Sequence, residues 1–192
     1  MMRRMGKEYE RIDGRLREFI EAQHMFFTAT APLAGDGTVN LSPKGLTGSF
    51  AVLDESTVAY LDFAGSNAET IAHLRENGRI TIMFCAFQGP PTIVRLHGAG
   101  RVVPVTDPGF APLVRHFPEA PDTHSARSVI DVDVHRVSDS CGYAVPLLDY
   151  RGDRDLLIRA HERRSAQDLA EYRRVKNAVS VDGRSIFAAE DR

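Results

Sequence analysis

Short apolar runs alternate with polar turns along most of the chain, a pattern typical of a β-sheet protein. Runs rich in aromatic and β-branched residues predict strands at 25–30, 38–42, 49–53, 57–63, 79–86, 92–105 and 127–137. The turn residues Gly35-Asp36-Gly37 and Asp54-Glu55-Ser56 separate neighbouring runs. The run at 127–137 alternates strictly, which predicts a half-buried strand.

In other segments the apolar residues recur at helical spacing. These predict helices at 13–23, 66–77, 107–117 and from 153 to about 177. Asp13 is a candidate cap for the first helix. The spacings Ser66-x-x-Glu69 and Ser165-x-x-Asp168 predict capping signals at two helix starts. Asn77-Gly78 predicts the end of the second helix.

Strands outnumber helices and follow one another in neighbouring pairs with one helix inserted. This order favours a mainly β fold, an antiparallel sheet closed into a barrel with flanking helices, over a doubly wound α/β fold. Gly98 and Gly100 interrupt the strand at 92–105 and predict a bulge or bend. We expect a barrel domain at 1–150 and a C-terminal helical extension of the same domain at 151–192.

Composition restricts the possible partners. The 192 residues are 43% hydrophobic and 26% charged, as in ordinary globular proteins, and the net charge of −2 argues against a broad nucleic-acid surface. No apolar run suggests a membrane span or the core of a signal peptide. Cys85 and Cys141 lie far apart, without the spacing of a zinc or redox motif. We therefore expect a reduced, cytoplasmic protein that binds neither nucleic acid nor membrane.

The clearest polar pattern is Asn40-x-Ser42-x-Lys44, at the end of a predicted strand. Residues two apart project from one face of an extended chain, so these side chains offer two neutral polar groups and one ammonium side by side. Such a set suits a phosphate. The alternative is a solvated strand end in which Pro43 and Gly45 stop the strand.

A second candidate anion site is the start of the helix at Ser66, where free backbone N–H groups favour negative charge and Asn67 and Thr70 add donors. The alternative is a plain cap, because Glu69 would occupy the position of the anion.

Arg79, Arg95 and Arg101 form a third candidate set, although an ion pair at the barrel rim explains any one of them equally well. Asp131, Asp133 and His135 share a strand face, but acidic residues on an exposed face are common, so no metal site is predicted.

Several motifs, taken in order, resemble the pyridoxamine 5′-phosphate oxidase-like family of FMN-binding split barrels. They are Asn40–Gly45, Val58–Asp62, Gly65–Ile71, Glu76–Ile80 and Ile93–Gly98. The later segments Cys141–Pro146 and Lys176–Gly183 resemble one bacterial branch of that family.

The resemblance implies a homodimer of split β-barrels with FMN at the subunit interface. The cofactor-binding residues that it implies are Asn40, Ser42, Lys44, Tyr60, Leu61, Asp62, Ser66, Asn67, Thr70 and Arg95. Of these, Tyr60, Leu61 and Asp62 would run beside the flavin, and Ser66, Asn67 and Thr70 would approach its phosphate.

The chain departs from the oxidase itself at two places. Asn67-Ala68 stands where the oxidase has an Arg-Lys pair, so Lys44, and after it Arg95, would have to neutralise the phosphate. The chain also has no tryptophan to match the one that recognises the oxidase's substrate. The resemblance thus implies a flavin site without implying pyridoxamine phosphate as substrate.

The leading hypothesis is an FMN-binding flavoprotein, an oxidoreductase acting on an unidentified small molecule, with the redox chemistry supplied by the flavin. One alternative is a split barrel that binds the deazaflavin F420 or haem. Another is a flavin-binding module without turnover. The sequence identifies no catalytic acid or base.

Overall fold

The computed structural model describes residues 6–65, 68–121 and 123–186. The strands are β1 (Lys7–Tyr9), β2 (Met25–Thr30), β3 (Asn40–Gly45), β4 (Phe50–Val52), β5 (Thr57–Phe63), β6 (Arg79–Cys85), β7 (Ile93–Pro104) and β8 (Ala126–Ser140). The helices are α1 (Gly14–Glu21), α2 (Glu69–Asn77), α3 (Phe110–Val114), α4 (Leu156–Glu162) and α5 (Ala166–Lys176).

The strands form one antiparallel sheet in the order β3-β2-β6-β7-β8-β5-β4, and β1 pairs with β8. The sheet curls until its two ends approach each other, since Lys44 on β3 reaches Asp62 on β5. This confirms the predicted mainly β architecture with flanking helices. The three-residue β1 was not predicted, because so short a strand has no periodic pattern to detect.

The strand that carries the polar pattern continues further than predicted. We expected it to end at Ser42, but β3 runs through Pro43 to Gly45. Proline cannot donate a hydrogen bond to a neighbouring strand, and β3 tolerates it because it lies at the edge of the sheet. Lys44 is therefore held by strand pairing, opposite Phe26 of β2.

The predicted bend at the glycines of β7 is confirmed. The register between β7 and β8 shifts between His97 and Gly98. A Cβ atom on Gly98 would lie 2.3 Å from the carbonyl oxygen of Asp133, so no other residue fits there without moving the backbone.

The core fills the concave face of the sheet under α1 and α2. Phe26 packs edge-on against Phe50 and Tyr60, at centroid distances of 4.9 and 5.3 Å. Leu16, Ile71, Ile82, Ile130 and other aliphatic side chains surround these rings. A second cluster, which includes Leu61, Val103 and Phe117, lies on the opposite side of β5. Burying each such side chain stabilises the fold by about 1.5–3 kcal/mol.

The C-terminal extension packs on the barrel. Leu169 of α5 is buried, and Ile186 belongs to the same core cluster as Tyr60. The predicted capping box of α5 is confirmed, with Ser165 and Asp168 bonded reciprocally. Among the residues that the structure describes, no helix has the length and hydropathy needed to cross a membrane.

Candidate functional site

The polar pattern of β3 faces the interior of the curled sheet. Asn40, Ser42 and Lys44 pair with Thr30, Thr28 and Phe26 of β2, whose side chains are all buried. Residues that pair directly across two strands project to the same face. The common face predicted for these three residues is thus confirmed, and it is the inner one.

Asn40 and Ser42 belong to a hydrogen-bond network that uses their own donors. The Asn40 side-chain amide donates to Thr30 Oγ1 at 3.2 Å and to Thr70 Oγ1 at 3.0 Å. The hydroxyl of Ser42 donates to Asn40 Oδ1 at 2.9 Å. Both amide protons and the hydroxyl proton are therefore engaged within the protein, and contact of Asn40 or Ser42 with a cofactor stays a prediction.

The network continues to His73, which is fully buried on α2. Its Nδ1 lies 2.9 Å from Thr30 Oγ1. Thr70 is buried one turn earlier on the same helix, where its hydroxyl accepts from Asn40. The polar residues at this end of β3 thus fix the position of α2 against the sheet.

Lys44 takes part in a different arrangement, a buried cluster of charges. Its Nζ lies 3.2 Å from Asp62 Oδ1, and Arg127 Nε lies 2.6 Å from Asp62 Oδ2. The side chains of Asp62 and Arg127 are 1% and 3% exposed, whereas that of Lys44 is 22% exposed. Lys44 is the member of the cluster that remains accessible.

The charges in this cluster hold Asp62 ionised. Burial alone raises the pKa of Asp62, but the positive charges of Arg127 and Lys44 outweigh it and hold the pKa at about 2, below the ordinary value of 3.8. Burial, followed by the negative charge of Asp62, raises the pKa of the neighbouring Tyr60 above its ordinary value. With one carboxylate between two cations, the cluster carries a net positive charge.

Arg127 was missed in the sequence analysis. It comes at the start of a run of buried β8 residues, and Asp62 ends a run of buried β5 residues. A charge inside an apolar strand needs an opposite charge nearby. One acidic and one basic residue in two otherwise apolar, buried strands were the signal that could have predicted this ion pair.

A cavity of about 960 Å³ opens beside Lys44. The ends of β3 and β5, the loop after β6 and the segment 148–157 line it. Its apolar wall includes Leu61, Phe63, Phe87, Leu148 and Leu157. We call this space the Lys44 cavity.

Residues of the segment 148–157 hold one side of the Lys44 cavity in place. The ring of Tyr150 stacks on His24 with a centroid distance of 3.5 Å and an interplanar angle of 9°. Asp153 Oδ2 accepts from the backbone N–H of Thr47 at 2.8 Å. The segment 148–157 thereby closes one side of the cavity.

The structure gives α2 a later start than predicted. Its N-cap is Ala68, which makes no side-chain cap, and the Glu69 carboxylate accepts from the backbone N–H of Val181 at 3.1 Å. The C-terminal extension thus binds one oxygen of that carboxylate, and the capping box predicted between Ser66 and Glu69 involves a residue outside the described ones. Ser66 and Asn67 lie outside the described residues.

Arg95 lies on the opposite face of the sheet from Lys44. Direct pairing across β7, β6, β2 and β3 puts Arg95 on the same face as Pro43. Neighbouring residues of a strand point to opposite faces, so Lys44 points the other way. Arg95 Nη1 donates to Ser140 Oγ at 3.0 Å on that outer face. Within one chain, Arg95 and Lys44 do not meet at one ligand.

The other predicted cations are also on the outside. Arg101 forms an ion pair with Asp131 at 2.9 Å, as expected for a barrel rim. Arg79 donates to the carbonyl of Pro32 and lines a shallow cavity of about 390 Å³ together with His97. Burial, followed by nearby cations, lowers the pKa of His97. Within the described ranges, no three His, Cys, Asp or Glu residues are grouped to hold a metal ion.

Comparison with known proteins gives a match over most of the barrel. Residues 12–141 match the sequence profile of the family described as pyridoxamine 5′-phosphate oxidase. The pyridoxamine 5′-phosphate oxidase family protein ustO of Aspergillus flavus is 47% identical over 146 residues. That alignment covers 76% of this chain and 58% of the relative, so the chain spans little more than half the length of that protein.

Solved structures are similar at lower identity. An FMN-binding protein of Syntrophomonas wolfei is 14% identical with a TM-score of 0.48, and the match covers 63% of this chain and 80% of the other. A FAD-binding protein of Mesorhizobium loti is 13% identical with a TM-score of 0.46, covering 70% and 96%. At these TM-scores the likenesses transfer no ligand to this chain.

Proposed function

The chain belongs to the pyridoxamine 5′-phosphate oxidase family, and from this premise we propose that it is an FMN-binding flavoprotein and an oxidoreductase. FMN supplies hydride and electron transfer when it is bound. We propose an unidentified small molecule as the substrate, because the 192 residues hold no counterpart of the tryptophan that recognises pyridoxamine phosphate in the oxidase. We place the protein in the cytoplasm.

The observation that carries this proposal is the Lys44 cavity. At about 960 Å³ it has room for a flavin and a second small molecule. Leu61, Phe63 and Phe87 offer apolar surface to a planar ring. Lys44 brings a partly exposed ammonium to the same space, as a phosphate requires. The residues present therefore fit FMN.

Asp62 and Arg127 prepare Lys44 for this role. The Asp62 carboxylate holds the ammonium at the cavity wall, and Arg127 keeps that carboxylate ionised. Because Asp62 faces two cations, an added anion meets a positive field. Lys44 then binds the phosphate without having to be desolvated from open water.

We extend the proposal to a homodimer. In such a dimer Arg95, on the outer face of its own sheet, would contact the flavin bound by the partner chain. The same face exposes Val39 and Leu41, which are 70% and 65% exposed in the single chain. Light scattering of the purified protein should give twice the chain mass of 21.3 kDa. If the protein is a monomer at micromolar concentration, Arg95 cannot be assigned to the flavin site.

The direct test is the colour of the protein. Purified protein should show a flavin spectrum or acquire one when FMN is added, and the bound FMN should be reduced by NAD(P)H and reoxidised by an acceptor. F420 and haem should be tested as competitors of FMN in binding titrations. Colourless protein that takes up no FMN would refute the proposal. Preferential binding of F420 or haem would identify that molecule as the cofactor instead of FMN. Bound FMN that is never reduced would indicate a non-catalytic module.

A further inference from the structure

The shallow cavity of about 390 Å³ lies on the outer face of the sheet. His97 follows Arg95 by two residues on β7, so both side chains project from this face, opposite Lys44. We call this space the His97 cavity. Its polar lining includes Arg79, His97 and His135, and its apolar lining includes Ala29, Ala31 and Val39.

A β-bulge brings the second imidazole to this face. His97 pairs with Arg136, whereas the next residue, Gly98, pairs with Val134, so His135 is the extra residue between them. Such a residue bends its strand and re-aims the side chain. His135 and Arg136 are therefore both exposed although they are neighbours in the chain, and His135 lines the cavity together with His97.

The ring of His97 is held through one of its nitrogens. Nδ1 lies 3.1 Å from Oγ1 of Thr81, the residue that pairs with His97 on β6. Burial, followed by the positive charges of Arg136 and Arg95, lowers the pKa of His97, so the ring is neutral at pH 7. When the Thr81 hydroxyl donates to Nδ1, the proton of the neutral ring is on Nε2 and is left for a ligand.

Arg79 supplies the positive charge of the His97 cavity. Its Nε donates to Asn77 Oδ1 and its Nη2 to the carbonyl oxygen of Pro32, both at 3.3 Å. Both acceptors are neutral, and within the described ranges no carboxylate forms an ion pair with Arg79. Arg136, on the same face, is by contrast paired with Glu8. The Arg79 guanidinium is thus fixed in direction and keeps its charge, with Nη1 left for a ligand.

This lining favours an organic anion over a metal ion. Two imidazoles can ligate a metal, but Arg79 in the same cavity repels a cation, and the described residues provide no third His, Cys, Asp or Glu in the group. Asp133 lies on the same face, outside the cavity lining. The apolar walls suit a ligand that carries an apolar body beside its charge.

We propose that the His97 cavity binds a small organic acid, whose carboxylate accepts hydrogen bonds from Arg79 and from the Nε2–H of His97. A guanidinium matches the geometry of a carboxylate, and a neutral imidazole adds a donor without a second charge. His135 offers a further donor, and the apolar body of the acid lies against Ala29 and Ala31. The site is on the other face of the sheet from the Lys44 cavity, so it does not depend on the proposed flavin.

Benzoate is the probe, and benzamide, which has nearly the same shape without the charge, is the control ligand. Benzoate should bind saturably to the full chain, in the oligomeric state in which it is purified, and should shift the NMR signals of the histidine rings. His97→Gln identifies which ring signal belongs to His97. Benzamide should leave the signals unchanged.

Arg79→Gln should weaken benzoate binding by about tenfold to a hundredfold, the value of a charge-assisted contact. Arg79→Lys should restore part of the loss. Arg101→Gln is the matched control, because Arg101 lies on the same face of β7 but pairs with Asp131 outside the cavity. It should bind benzoate as the wild type does, and so should Lys44→Ala.

Absence of saturable benzoate binding in the wild type, equal binding of benzamide, or unchanged affinity in Arg79→Gln would overturn the inference. A loss in Lys44→Ala would also overturn it, because benzoate would then occupy the Lys44 cavity. Inorganic phosphate that binds as tightly as benzoate would contradict the assignment to an organic acid. Circular dichroism verifies that each variant is folded.

Discussion

Two polar regions adjoin on the inner face of β3 and differ in how their hydrogen-bond donors are used. In the network around Asn40, each described donor of Asn40 and Ser42 has a protein acceptor. In the cluster around Lys44, two cations share one carboxylate. The donors of Asn40 and Ser42 in the first region are used within the protein, whereas the second region retains positive charge at a cavity.

The difference shows why a regular spacing does not imply a common role. Asn40, Ser42 and Lys44 project from one face, as their spacing requires. The partners across the sheet then separate them, because Thr30 and Thr70 engage the amide and Asp62 engages the ammonium. We therefore assign ligand binding to the second region, whereas the first region connects β3 to α2 through neutral hydrogen bonds.

The largest effect is expected from Asp62→Asn. This change leaves the Arg127 guanidinium buried without its carboxylate and should lower the free energy of unfolding by about 3–5 kcal/mol. Urea denaturation measures the loss. Asp133→Asn, at an exposed position of β8, is the control and should change stability by no more than about 0.5 kcal/mol. Equal stability of the two variants would show that the charge cluster does not matter for folding.

Lys44→Ala should weaken FMN binding by about 1.5–3 kcal/mol, because a charge-assisted contact to phosphate is lost. A titration followed by flavin fluorescence measures it. Lys176→Ala, at an exposed position of α5, should leave the affinity unchanged. Unchanged FMN affinity in Lys44→Ala would show that the phosphate does not bind at the charge cluster.

Acid should destabilise the folded chain through Asp62. Its pKa is about 2 in the folded chain and 3.8 ordinarily, so the folded state binds fewer protons between these values. The resulting stabilisation, about 2 kcal/mol, is present above pH 4 and is lost as the pH falls towards 2. Unfolding measured from pH 5 to pH 2 should show this slope in the wild type. A slope of equal size in Asp62→Asn would assign it to other carboxyl groups.

The smallest effect is expected from Ser42→Ala. It removes one neutral hydrogen bond to Asn40 and should cost about 0.5–1.5 kcal/mol of stability. FMN affinity should remain within about twofold, since the hydroxyl proton is already engaged by the protein. A loss of FMN affinity comparable to that of Lys44→Ala would show that both polar regions belong to the FMN site.

Periodicity in the sequence predicted most of the elements. The apolar runs gave the strands of the sheet, the glycines of β7 gave its bulge, and Ser165-Asp168 gave the cap of α5. These features depend on backbone geometry and on which face is buried, and both are encoded within a few neighbouring residues. The family resemblance also came from local motifs, and it is confirmed over residues 12–141.

The tertiary structure decided the partners of the charges. Asp62 and Arg127 are 65 residues apart in the chain and meet only because β5 pairs with β8. Glu69 accepts a hydrogen bond from the backbone of Val181, 112 residues away. Arg95 and Lys44 fall on opposite faces through the register of four strands. A local pattern specifies which residues point inward, but the partner of a buried charge depends on the folded sheet.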